Sequence, residues 1–240
     1  LFAIAVAINA FTNYFFFIGQ VVFLILYFIV KIITKEYKLT IKKFITLAIE
    51  SLLGVGIASI LFIPSIIFVL DNPRVNSTWT LLTAFKPQVK VIAEILRGFI
   101  IAPEIMSQRG LFSEYQFAST EAYLPFVGIV LCSGYMWKHK KNWITILLLI
   151  CFLLMLFPIT NSLFFALNTA YYSRWFYMMI LIMALASAKA LDEKIKLEYG
   201  YLATTIIFSG LITVMLYLSL KGNQVVFHIN YFLVNVLITL

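Results

Sequence analysis

Apolar residues run along this chain in long blocks, without the polar position every third or fourth residue that marks a helix with one wet face. The first block, residues 1–30, would make one helix of about 45 Å at 1.5 Å per residue, too long for a span without extreme tilt. The polar segment NAFTNY (Asn9–Tyr14) offers a break. The pattern therefore predicts helices over about 1–12 and 14–33. Further spans are predicted over about 44–70, with Pro64 inside it, and over 122–138, 143–160, 172–191, 200–220 and 225–240. A polar loop, 71–121, is the one long connection. The expected fold is all-α: a single polytopic transmembrane helical bundle over 1–240, with about seven to eight spans. The apolar ends, LFAIAVAINA and NYFLVNVLITL, read as an internal piece of a longer protein, and the first of them lacks the basic region of a signal peptide.

Composition removes the soluble alternatives. With 63% hydrophobic, 17% aromatic and 12% charged residues, and a mean hydropathy of +1.01, the chain lies outside the range of soluble domains. Cys132 and Cys151 both sit in apolar runs and make no disulfide framework; they read as lipid-facing or packed thiols. His139 and His228 stand apart from any acidic or thiol cluster, so neither a metal nor another cofactor is expected.

The net charge of +8 is a topology signal. Short loops rich in Lys and Arg stay in the cytoplasm, and alternation from an inner Lys31–Lys43 puts KHKK (138–141) and KALDEKIK (189–196) inside as well. Those three loops hold eleven of the eighteen basic residues, all lysine. The same alternation places 71–121 outside, and all four arginines, Arg74, Arg97, Arg109 and Arg174, fall on the outer side. Arginine is not needed there for topology, and its planar fork suits phosphate or carboxylate. The basic pI of about 9.4 thus indicates membrane orientation, with no nucleic-acid partner. Within the outer loop, VKVIAEILRGFI puts Val89, Ile92, Leu96, Phe99 and Ile100 on one face and Lys90, Glu94 and Arg97 on the other. An amphipathic helix lying in the outer interface is expected.

No Ser-His-Asp set and no phosphate-cradling glycine loop is present. What remains is a group of polar residues at the outer ends of spans: Asn13, Tyr14, Glu121, Tyr123, Asn161, Asn168 and Arg174, with Asn9 beside them. Arg174, in NTAYYSRWFYMM, reads either as an interfacial anchor in an aromatic belt or as a cation facing the bundle to hold a phosphate or Glu121. Glu121 reads either as an acid favoured by a helix N-terminus or as that partner. Glu50 is expected to pair with a nearby lysine.

Three segments in order, NAFTNYFFFIGQVVFLILYF, SEYQFASTEAYLPFVGIVL and FPITNSLFFALNTAYYSRWFYM, resemble the YfhO family of bacterial membrane proteins over most of the 240 residues. The chain departs from that pattern in having no glycine soon after Asn168. The resemblance implies a large multi-pass protein of the bacterial cell membrane, similar to the C-type glycosyltransferases. Those enzymes move a sugar from a polyprenyl-phosphate carrier to an acceptor on the outer face, here an envelope polymer such as lipoteichoic acid. It also implies that the catalytic acid lies in an outer loop preceding Leu1, so no catalytic residue is named. Arg174 would hold the donor phosphate, with Asn13, Tyr14, Glu121, Tyr123, Asn161 and Asn168 lining the same outer cavity. The competing reading is a transporter or flippase of lipid-linked precursors, which needs the same groups but breaks no bond; the bilayer is a partner in both.

Overall fold

The structure is a computed structural model that describes residues 1–70, 85, 89–100, 122–167 and 174–220; every structural statement below concerns these residues. They form nine α-helices and no strand. The helices are α1 (Phe2–Thr12), α2 (Tyr14–Ile33), α3 (Ile41–Leu70), α4 (Val89–Ile100), α5 (Phe126–Lys138), α6 (Trp143–Leu156), α7 (Pro158–Ser162), α8 (Phe176–Asp192) and α9 (Leu197–Leu220). A short 3-10 turn, Leu163–Phe165, follows α7.

Local chemistry sets the helix ends. Asn13 is extended, and its Oδ1 accepts the Phe16 amide at 3.4 Å, so this one residue closes α1 and caps α2. Phe157 takes an extended conformation because Pro158 follows it, and Pro158 then opens α7 where its missing N–H costs nothing. The block 143–160, expected as one span, is therefore divided. Both α2 and α8 end in the same motif. Glu36 N–H donates to Lys31 O and Ile195 N–H to Ala190 O, each at 3.0 Å, with Lys35 and Lys194 in the left-handed conformation.

Two helices, α2 and α3, are long and apolar enough to cross a membrane alone, and a third candidate arises if α5 and α6, which meet at 113°, count as one broken span. The described residues thus show two to three candidate spans and do not confirm the expected seven to eight. α5 and α6, at 13 and 14 residues, reach only about 20 Å each and are too short to cross separately. The span expected over 225–240 lies outside the described residues. Only 22% of the α2 span and 11% of the α3 span is buried. Ile4, Leu52, Ile60 and Phe68 stand among the many large apolar side chains exposed. Such an apolar surface is stable only against lipid or another apolar body.

The principal core joins α2, α4, α5, α6 and α8 around Ile144, Leu147, Cys151, Met155, Phe164, Trp175 and Phe176. Both cysteines are packed thiols, buried in helices. A smaller cluster, Ala10, Phe17 and Ala58, ties α1 to α2 and α3. Glycine sets the two closest helix contacts. A Cβ on Gly54 would fall 2.5 Å from the Ala3 carbonyl oxygen, and one on Gly200 would meet the Val130 carbonyl oxygen, so α1 and α5 lie directly against the backbones of α3 and α9. Glu50 accepts the Ala3 amide at 3.3 Å at the start of α1 rather than pairing with a lysine.

One expectation is corrected here. The charged face of α4 does not lie open in an interface: Glu94 is 1% and Arg97 4% exposed, and their charged atoms approach to 3.0 Å. The helix packs on α9 and α5, and Val91, Ile95 and Phe99 enter the principal core. Pairing permits this burial, because an ion pair loses far less on leaving water than either charge alone.

Candidate functional site

Helices α2 and α8 run the same way. Near their N-terminal ends, Gln20 Nε2 donates to Tyr177 Oη at 3.0 Å, and the Phe16 and Tyr177 rings meet edge to face at 6.0 Å. At their last turns the lysine-bearing segments assemble. Lys31 Nζ lies 3.9 Å above the Trp143 ring and 2.6 Å from Glu36, while His139 Nε2 donates to Glu193 at 2.6 Å and Lys138 Nζ lies 3.4 Å from the same carboxylate. An ionised carboxylate only accepts, so that imidazole nitrogen carries the proton. The lysine loops at 31–43, 138–141 and 189–196 thus share one end of the bundle. α2 spans 20 residues, about 30 Å, so the two ends are one hydrocarbon thickness apart.

The end away from the lysines holds an open cleft of about 370 Å³ lined by Asn9, Thr12, Asn13, Phe16, Gln20 and Tyr177. No lining residue carries a charge. Asn9 Nδ2 donates back to Ala5 O at 3.1 Å, and the Thr12 hydroxyl to Ile8 O at 2.7 Å, which leaves their oxygens oriented as acceptors. Amide and hydroxyl groups beside two aromatic rings suit a neutral polyol such as a sugar: the polar groups read hydroxyls and the rings cover C–H faces. None of the six can act as a strong general base near neutral pH, so the chemistry these groups offer is that of binding and orientation.

The turn after α7, which meets α2 at Gly19, is aromatic and strained. Phe164 stacks on Trp175 with ring centroids 3.8 Å apart and planes 4° from parallel, and the Phe164 carbonyl oxygen sits 3.1 Å from where a Gly19 Cβ would be. Ala166 and Leu167 both adopt positive φ, 51° and 60°, conformations that a residue with a Cβ reaches at a cost of about 1 kcal/mol. Trp175 Nε1 is buried without a hydrogen-bond partner.

The expected site residues fall unequally around this cleft. Asn13 lines it. Tyr14 opens α2 next to it, though its side chain lies outside what is described. Arg174 is exposed and does not line the cleft; it precedes buried Trp175, one turn before Tyr177. Asn161 is fully buried in α7. Tyr123 is half-buried just before α5 and also off the cleft wall. Glu121 and Asn168 lie outside the described residues. Thr12, Gln20 and Tyr177 were missed. A signal existed for Gln20, since Asn9, Asn13, Phe16 and Gln20 follow the spacing of one helical face, continued across the break at Asn13. Among the described residues no three His, Cys, Asp or Glu side chains are placed to hold a metal.

An apolar exterior, all-helical architecture and a polar recess at one end of the long α2 define a helical membrane protein. The chain belongs to the YfhO family: the family model described as bacterial membrane protein YfhO matches residues 1–240. No curated protein and no solved structure matches the chain.

Proposed function

We propose that this protein is a multi-pass glycosyltransferase of the bacterial cell membrane, which moves a sugar from a polyprenyl-phosphate carrier to an envelope polymer such as lipoteichoic acid on the outer face. The observation that carries this reading is the uncharged cleft, whose amides, hydroxyls and aromatic rings suit a sugar and whose distance from the lysine loops suits the outer membrane boundary. Membership of the YfhO family supports it. In the reaction the bond from the anomeric carbon to the carrier phosphate breaks with its electron pair leaving on the phosphate. An acceptor hydroxyl forms the new bond and surrenders its proton to a base. Arg174 holds the phosphate as charge develops on it, a task for a planar fork near a low-dielectric boundary. Glu121 and Asn168 complete the outer site, whereas Asn161, fully buried in α7, and Tyr123, off the cleft wall, do not touch the sugar in the cleft.

The full-length protein in proteoliposomes, given a labelled polyprenyl-phosphate sugar and the polymer acceptor, is expected to produce labelled polymer. Arg174→Ala should lower that rate by about 10²-fold, and Arg174→Lys should recover part of it. The rival reading, a flippase of lipid-linked precursors, predicts labelled donor on the outer leaflet with its sugar-phosphate bond intact and no labelled polymer; that outcome would overturn the assignment.

A further inference from the structure

The lysine end of the bundle holds a second recess, of about 500 Å³, lined by Thr34, Glu36, Trp137, Lys138, His139, Lys140, Lys141 and Asn142. Its charges are unequally compensated. Glu36 is held by Lys31, and Glu193 takes both Lys138 and His139. Lys140 Nζ lies 4.8 Å over the Trp137 ring, and among the described residues neither Lys140 nor Lys141 has a carboxylate within 4.0 Å. The recess also opens onto the start of α6, where Asn142 Oδ1 accepts the Ile144 amide at 2.9 Å, so the positive end of that helix points into it.

Three features fix the kind of anion. Trp137 stands in the wall of the recess with Lys140 over its ring, and at the same end of the bundle Lys31 lies over Trp143 and Lys43 over Tyr37, an arrangement suited to headgroup depth. Immediately below, Ile29 and Ile33 on the last two turns of α2 present exposed apolar side chains that can lie along acyl chains. The recess is also one hydrocarbon thickness from the cleft, so it faces the opposite leaflet. Lysines serving only as a topology signal would need neither a concave setting nor a tryptophan in its wall. We propose that this recess is a binding site for the phosphodiester headgroup of an anionic phospholipid in the cytoplasmic leaflet, with Lys140 and Lys141 as its principal contacts. The site is independent of the chemistry at the cleft.

Native mass spectrometry of the full-length protein, titrated with phosphatidylglycerol and separately with phosphatidylcholine, tests it. The wild type is expected to retain phosphatidylglycerol preferentially. Lys140→Gln with Lys141→Gln should weaken that retention by roughly tenfold or more and leave phosphatidylcholine unchanged. The paired Arg substitutions should keep it, and Lys38→Gln with Lys42→Gln, exposed lysines off the recess, should match wild type. Undiminished phosphatidylglycerol binding in the double Gln variant would overturn the proposal. So would inorganic phosphate competing the lipid off at equal concentration, which would assign the recess to a soluble anion.

Discussion

The two recesses at the ends of α2 have similar setting and opposite chemistry. Near Tyr14 the walls are amides, hydroxyls and aromatic rings without charge; near Ile33 they are ammonium groups only partly neutralised by Glu36 and Glu193. Both are open and both have aromatic residues in their walls, Phe16 and Tyr177 in one and Trp137 in the other. The difference teaches that a membrane protein can separate its tasks by depth. Neutral hydrogen-bonding groups discriminate among hydroxylated ligands by geometry, whereas lysines attract any anion and so suit a leaflet surface that is itself anionic.

The largest effect should come from breaking the frame of one end alone. Gly200 lies against the Val130 carbonyl, where α9 crosses α5 just after the turn that carries Glu193. Gly200→Leu forces those backbones apart and is expected to destabilise the protein by about 3 kcal/mol or more, read as a lower melting temperature and reduced phosphatidylglycerol retention. Gly210→Leu, in the same helix with open space around it, should behave as wild type. Equal damage from both would show that helix content, not this contact, sets the effect.

A smaller effect sharpens the comparison from the other end. Gln20→Ala removes the amide that donates to Tyr177 and leaves the cleft otherwise intact. One hydrogen bond of this kind contributes about 1 kcal/mol, so the proposed sugar transfer should fall in efficiency by roughly fivefold to tenfold with lipid retention at the lysine end unchanged. Loss of both activities together would mean that the two recesses are coupled.

Much of the fold was legible because membrane helices are written in long apolar blocks. The break at Asn13, the helix boundaries near Lys31 and Lys138, and the gathering of the lysine loops all follow from local composition. The placement of α4 was not legible. Glu94 and Arg97, three residues apart, read as a wet face because a lone charge would demand water, yet their pairing and the distant helices α5 and α9 allow burial. At the cleft, Asn13 was visible at a helix end, but Tyr177 comes from 157 residues beyond Gln20, and no local pattern announces that meeting. Arg174 stood out as a charge among aromatics, while its exposure depends on Trp175 turning inward onto Phe164.

The smallest expected effect concerns acid. The hydrogen bond from His139 holds the Glu193 carboxyl below its ordinary value; it outweighs the opposing desolvation, and the charge of His139 and then Lys138 add to the lowering. A carboxyl whose folded pKa is depressed binds fewer protons folded than unfolded, so its contribution is full above the ordinary carboxylate value of about 4.3 and is lost as pH falls through the lowered one. Acid should therefore loosen the Lys138–His139–Glu193 tie at the lysine end, whereas the cleft, lined by no carboxylate, should hold its Gln20–Tyr177 contact unchanged over the same range. Glu193→Gln should remove the acid response of the lysine end and nothing at the cleft. Amide hydrogen exchange around 138–142 and 13–20, compared at pH 6 and about pH 3 after correction for the intrinsic exchange rates, reads the two ends separately. Equal loosening at both would mean that acid acts on the bundle as a whole and not through this carboxylate.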